Sequence, residues 1–210
     1  LPIEVNIDKV ILSDLYALYE ELPEGGKASG KVWFSSVSAE AAGLTNRPDS
    51  SQQKWTLAAK GKFMGASDIG VTFSIPTDTL SPVFDIRGHL GRTDMKRLNA
   101  VAVPVGKVQL DKGTIDNIVF HMRGDYSAAA IDMTLLYHDL KVGVLKDGTE
   151  LHPEERRFIS FVANRVVKSS NPDRKGTRAS HGTFKRDPYR SPWNYMWKTI
   201  FSGAKDAVGM

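Results

Sequence analysis

No cysteine occurs in the 210 residues, which excludes disulfides and thiolate metal sites without identifying a redox compartment. Long hydrophobic runs are missing as well: the longest is a handful of residues, far below the roughly 18 that a bilayer-crossing helix needs. Leu1-Pro2-Ile3 is not the start of a signal peptide. With no initiator methionine and a strand-like pattern from its first residues, the chain reads as a segment of a longer protein. Tandem repeats and low-complexity tracts are absent too.

Motifs that carry chemistry are equally scarce. His89, His121, His138, His152 and His181 show no HxxH or HxxxH spacing, and no carboxylate joins two of them in a ligand motif, so no metal is expected. His121 and His138 straddle the turn at Gly124 at unequal distances, which argues against their pairing across a hairpin. The segment RGHLG, Arg87 to Gly91, lacks the spacing of a phosphate loop. There is no GxSxG elbow and no cysteine nucleophile. Asp125, Asp132 and Asp139 suit turn and strand-surface roles better than carboxylate catalysis. The expectation is therefore a non-enzyme, with no catalytic residue and no cofactor.

What the sequence has is alternation. Trp55, Leu57, Ala59 and Phe63 share one parity, with Lys54, Thr56, Lys60 and Lys62 on the other; Ile69, Val71, Phe73 and Ile75 repeat the pattern against Gly70, Thr72 and Ser74. Met64 to Asp68 supplies turn chemistry between them, so a hairpin is expected. The theme recurs at Ile3-Val5-Ile7, Val32-Phe34, Phe84-Ile86-Leu90, Val108-Leu110 and Ile118-Phe120-Met122. Ile131, Met133, Leu135 and Tyr137 are in odd phase while Leu140, Val142 and Val144 are in even phase. One residue of slip reverses the faces, so a bulge is expected near Tyr137-His138-Asp139.

About nine half-buried strands follow, and helical periodicity is confined to few places. His152 to Lys168 opens with Pro153 and two glutamates and carries Phe158, Ile159, Val162, Ala163, Val166 and Val167 on one stripe. Ser169 to Gly182 reads as a polar loop, and His181 to Lys185 as a last strand. A short helix is expected around Asp94 to Asn99, and Asp14 to Leu22 is open between helix and strand. The fold class is thus mainly β, in the α+β sense: one large curved antiparallel sheet, an open trough or partly closed barrel, with two amphipathic helices in the carboxy-terminal third. The chain is read as a single domain over 1–210, strand-rich over 1–148, then helix, loop, strand and terminal helix over 152–210.

Charge is unevenly placed. Between Arg156 and Asp206, 12 Lys/Arg face three Asp/Glu, a balance of +9, while the remaining 16 against 21 give −5. Such a basic segment suits a solvated face, an anionic membrane surface or nucleic acid. The aromatic close of the chain, DPYRSPWNYMWKTIFSGAK, bears on the choice. On a helix from Pro192, Trp193, Met196, Trp197, Ile200, Phe201 and Ala204 form one stripe, with Asn194, Lys198, Thr199, Ser202 and Lys205 opposite. Burying five large apolar side chains gains on the order of 10 kcal/mol, against about 1 kcal/mol per basic residue at an anionic membrane surface. Capping the sheet is favoured over a membrane-lying helix, and both over a nucleic-acid element, since the aromatics form a periodic stripe and not a stacking platform.

Two stretches carry a family resemblance. GTIDNIVFHMRGDYSAAAIDMTLLYHDLKVGVLKDG, Gly113 to Gly148, and FKRDPYRSPWNYMWKTIFSGAK, Phe184 to Lys205, resemble the carboxy-terminal region of AsmA-like (AsmA/DUF748-type) proteins of the cell envelope. The likeness lies in a glycine, an alternating strand, an RGD-type hairpin turn, a strand with a Tyr-x-Asp-Leu element, and the DPYR-S-W-x-Y-x-W ending. It covers about half of the chain. It implies a periplasmic domain whose inner-membrane anchor lies outside this segment and whose apolar sheet face serves phospholipid transfer or outer-membrane biogenesis. The expected partners are a phospholipid or other acyl-chain ligand, with a membrane surface or an outer-membrane assembly protein, and no nucleic acid. The alternative is a non-catalytic structural or protein-interaction module in envelope assembly. Alternation nominates the groove positions Trp55, Leu57, Phe63, Val71, Phe73, Phe84, Ile86, Ile118, Phe120, Met133 and Leu135.

Overall fold

The computed structural model describes residues 3–47, 54–77, 83–144 and 167–210. Among these lie nine strands: β1 (Asn6–Glu21), β2 (Gly30–Thr45), β3 (Lys54–Phe63), β4 (Ser67–Pro76), β5 (Phe84–Leu90), β6 (Thr93–Asp94), β7 (Val108–Gly124), β8 (Ala128–Val144) and β9 (Ser180–Lys185). They form one open sheet in the order β1-β2-β3-β4-β5-β7-β8-β9, with β6 paired to β7 and every pairing antiparallel. Two α-helices among the described residues accompany it, α1 (Asn99–Gly106), entered through a 3₁₀ turn at Met95–Leu98, and α2 (Pro192–Val208). The expected mainly-β class and open sheet are observed. The helix expected over His152 to Lys168 lies, but for Val167 and Lys168, outside the described residues.

Local chemistry explains the strand connections. Met64 and Gly65 both take positive φ (51° and 71°), and Ala66 N–H donates to Phe63 C=O at 3.1 Å. The register closes on Phe63↔Ser67, so Met64, Gly65 and Ala66 form the short loop that joins the two strands. At the β7–β8 tip, Asp125 Oδ1 accepts from Ser127 Oγ at 2.7 Å, Ser127 N at 2.6 Å and Ala128 N at 3.1 Å. These bonds, the Ser127 hydroxyl first, hold its carboxyl below the usual carboxylate range. The parity switch in β8 has its cause at Asp139, in the left-handed region at φ 59°. There the register passes from Thr114↔His138 to Lys112↔Lys141, so Tyr137 and Leu140 both turn inward.

The ambiguous stretch from Asp14 is strand, not helix. Leu15↔Val37, Ala17↔Phe34 and Tyr19↔Val32 give it a continuous apolar partner row, and cross-strand pairing outweighs its weak helical pattern. Positive φ at Asp14 (51°) and Ser36 (48°) marks bulges that bend this ribbon.

The core is divided between two apolar clusters. One gathers Phe73, Ile86, Met122, Ile131, Met133, Leu135 and Tyr137 beneath α2. The other gathers Val32, Phe63, Met64, Leu90 and Val101, where α1 covers the ends of β2 and β3, and Trp197 of α2 packs against it. The terminal helix therefore caps the sheet, as burial energetics favour, and Met196, Ile200 and Ala204 of the stripe pack against the first cluster and Trp197 against the second. The helix is rotated, however, so that a flank outside the stripe is buried deepest. Its buried positions include Tyr195, Thr199, Gly203 and Ala207, whereas Trp193 is 60% exposed. Two features make this possible. A Cβ at Gly182 would fall 2.3 Å from Gly203 N, so two glycines let helix and strand backbones meet. Thr199 and Ser202 donate to the helix's own carbonyls, of Tyr195 and Thr199, both at 2.8 Å, so burying these hydroxyls leaves no polar group unpaired.

Candidate functional site

The nominated groove positions are brought together on one face. Register aligns them in rows that cross the sheet. One runs Val10, Ala41, Leu57, Phe73, Ile86, Met122 and Ile131. A second runs Leu12, Ala39, Ala59, Val71, Gly88, Phe120 and Met133. Ile118 and Leu135 continue a third row from Ile69 and Leu90, Trp55 pairs with Ile75, and Phe63 faces Phe34. Phe84 meets Tyr195 of α2 edge-on at 5.9 Å.

Cover over this face is uneven. Phe63, Phe73, Ile86, Met133 and Leu135 are sealed into the protein's own core, which corrects their nomination as open groove positions: α1 and α2 occupy the space above that part of the sheet. Phe84, Ile118 and Phe120 border that core and are partly buried. Trp55, Leu57 and Val71 also retain exposure, and so do their neighbours Val10, Ala41, Ala59 and Ile75. Towards the free edge, Leu12 and Leu15 are 40% and 39% exposed. The candidate surface thus narrows to the β1–β4 half of the face, where Ala39, Ala41 and Ala59 replace bulky side chains and leave depth between Leu12, Leu57 and Val71.

The opposite face is polar and holds cross-strand ion pairs. Asp85 Oδ2 lies 2.6 Å from His121 Nε2 and 3.4 Å from Arg123 Nε, and its Oδ1 lies 3.2 Å from Arg87 Nε. Burial pushes the Asp85 carboxyl up, but His121 and Arg87 together hold it below the usual range. His138 Nδ1 meets Asp116 at 2.8 Å and His181 Nδ1 meets Asp132 at 2.5 Å. Each of these three histidines has its own carboxylate, and no group of three or more potential metal ligands occurs among the described residues. A shallow cleft of about 1150 Å³ also crosses the sheet. Its lining follows the second row, Leu12, Ala39, Ala59, Val71, Phe120 and Met133, together with their polar-parity neighbours such as Lys60, Thr72 and Arg87. Residues of both parities therefore border this concavity, and it crosses the sheet at the level of that apolar row.

Two elements escaped sequence reasoning. The loop expected to be merely polar contains Asn171, fully buried, whose side chain donates to Leu135 C=O at 2.7 Å and accepts from Arg178 N at 2.8 Å, pinning the loop across Tyr137. Only an asparagine between loop-forming residues marks it in the sequence, a weak signal. The ion pair between Lys198 of α2 and Glu21 of β1, at 3.5 Å, had no sequence signal at all. No helix among the described residues is long and apolar enough to cross a membrane. Comparison with protein-family models, with curated proteins and with solved structures finds no match to this chain.

Proposed function

We propose that the protein is a non-catalytic lipid-handling domain that holds acyl chains against the uncovered β1–β4 half of its apolar face. The observation that carries this reading is the row Leu12-Ala39-Ala59-Val71, in which apolar positions stay in register across four strands while α1 and α2 cover the face elsewhere. Transfer of an acyl chain needs no bond chemistry, only apolar area and a way out. Each methylene fully buried contributes about 0.8 kcal/mol. About ten methylenes lying on an open face, each losing roughly half its water contact, would gain on the order of 4 kcal/mol. That suits a surface that takes up a lipid and releases it again. The resemblance to AsmA-like envelope proteins points the same way, and with it a periplasmic setting and a part in phospholipid transfer or outer-membrane biogenesis.

A second reading rests on β1. Its edge is unpaired among the described residues, and Ile7, Ile11, Tyr16 and Leu18 are exposed on it, which suits strand addition by an assembly partner. Mass spectrometry of solvent extracts from purified protein separates the two. Phospholipid recovered reproducibly at a fixed ratio supports the first reading; protein that is lipid-free after exposure to lipid vesicles refutes it.

A further inference from the structure

We propose that the end of the molecule formed by the β7–β8 turn and the entry to α2 docks on an anionic bilayer surface. This goes beyond the trough and does not depend on it. Three large aromatic side chains stand exposed there: Tyr126 by 60%, Trp193 by 60% and Tyr189 by 96%. Structure links them. Arg186 N donates to Ser127 C=O at 2.8 Å, and its guanidinium lies 5.8 Å from the centre of the Tyr126 ring. Tyr189 N is held by Asp187 Oδ1 at 2.9 Å in the turn that leads to Ser191, the helix cap. Trp193 then opens α2, and Tyr195, two residues on, donates its hydroxyl to Asp125 C=O at 3.2 Å, returning to the β7–β8 turn.

Cations sit among these rings. Lys185 pairs in register with Ala128, and Arg186 and Arg190 flank Tyr189 in sequence. The neighbouring carboxylates are occupied internally: Asp125 by Ser127 and Ala128, Asp187 by Tyr189 N and by Arg190 at 3.9 Å. Among the described residues, Lys185 and Arg186 have no carboxylate partner. Tyrosine and tryptophan with an apolar body and a polar tip, interleaved with lysine and arginine, match the headgroup level of a bilayer, where rings enter the interface and cations meet lipid phosphates. The patch lies on a turn, the last residue of the edge strand β9 and a helix start, and it offers projecting rings and cations to a soft interface.

Co-sedimentation of the whole chain with phosphatidylcholine vesicles, with and without phosphatidylglycerol, tests the proposal. The anionic vesicles should bind at least about tenfold better at low salt, with the preference shrinking as salt rises. The triple variant Tyr126→Ser, Tyr189→Ser, Trp193→Ser should lose about tenfold or more of that binding at an unchanged melting temperature. In a Trp55→Phe background, which removes the tryptophan of the trough, brominated lipids should quench the fluorescence, and adding Trp193→Phe should abolish most of the quenching, because Trp33 and Trp197 pack against the core. Absence of binding to anionic vesicles, wild-type binding by the triple variant, or quenching that persists when Trp193→Phe is added to Trp55→Phe would each overturn the proposal. Lipid recovered by solvent extraction of the same preparations reports on the trough separately, so either idea can fail alone.

Discussion

Lys198 Nζ lies 3.5 Å from Glu21 Oε1, joining the terminal helix to the end of the first strand, with the Glu21 side chain only 14% exposed. The sheet is open in its hydrogen bonding, yet this contact and the packing of Trp197 against Val32, Phe63 and Val101 bring α2 to the first strands as well as the last. Replacing Lys198 by Ala leaves a mostly buried carboxylate without its cation, with only the Tyr19 hydroxyl still donating to it at 2.9 Å, which should cost about 1–3 kcal/mol in urea unfolding. Adding Glu21→Gln should recover part of that loss. A double-mutant cycle with no coupling between the two positions would refute the contact.

Gly182 sets how closely α2 approaches the sheet. A Cβ there would lie 2.3 Å from both Gly203 N and Ser202 Oγ, so Gly182→Val must push the helix outward and uncover Ile131 and Met133. The expected loss is about 2–4 kcal/mol, in the range of severe overpacking and lost core burial. Thr183→Val, next along β9 but exposed, should change stability by less than about 0.5 kcal/mol. Equal effects from the two substitutions would refute the close approach.

The fold was largely legible because its main signal has period two. Alternation locates seven of the nine described strands, β1 only at its start, while β9 is read from its place after the polar loop; the phase reversal between Tyr137 and Leu140 locates a bulge that Asp139 makes. The two-residue β6 has too few positions to alternate. Burial by neighbours is not written in parity. Phe73 and Val71 look alike in sequence, but one lies in the core and the other keeps exposure, because a helix from the far end of the chain decides which is covered. The stripe of α2 finds Met196, Trp197 and Ile200 against the core but misses the flank buried deepest, for a related reason. Thr199 and Ser202 count as polar until their hydroxyls are seen to bond within their own helix, and Trp193 counts as buried until the glycine contact fixes the rotation.

Filling the uncovered half of the trough should separate ligand binding from folding. Ala59 sits in register between Ala39 and Val71 on a surface that retains exposure. Ala59→Trp should leave the melting temperature within a few degrees of wild type and reduce both recovered lipid and displacement of a fluorescent fatty acid by about tenfold or more. Leu135→Ala, in the sealed core, should do the reverse: a loss of about 2–5 kcal/mol in stability and little change in lipid per folded molecule. If Ala59→Trp binds lipid as well as wild type, the acyl chain does not lie on this row.

The Tyr195 hydroxyl links stability to alkaline pH. Burial, reinforced by the Asp125 charge, pushes it up to about 12, against about 10 for a solvated tyrosine. Between those values the folded chain keeps a proton that the unfolded chain has released, so the unfolded state binds fewer protons and stability falls as pH rises. The contribution is complete below about pH 10 and gone above about pH 12. Tyr195→Phe removes this slope at the expense of the bond to Asp125 C=O, worth about 1 kcal/mol at neutral pH. Tyr19 and Tyr137 are also pushed up, in both cases chiefly by burial, and they remain in both proteins, so the difference between wild type and variant isolates Tyr195. Melting temperatures measured from about pH 8 to about pH 11.5 should start with the variant lower and converge as the wild type loses its advantage. A gap that stays constant across that range would show that Tyr195 titrates as it would in water, and that α2 does not bury it.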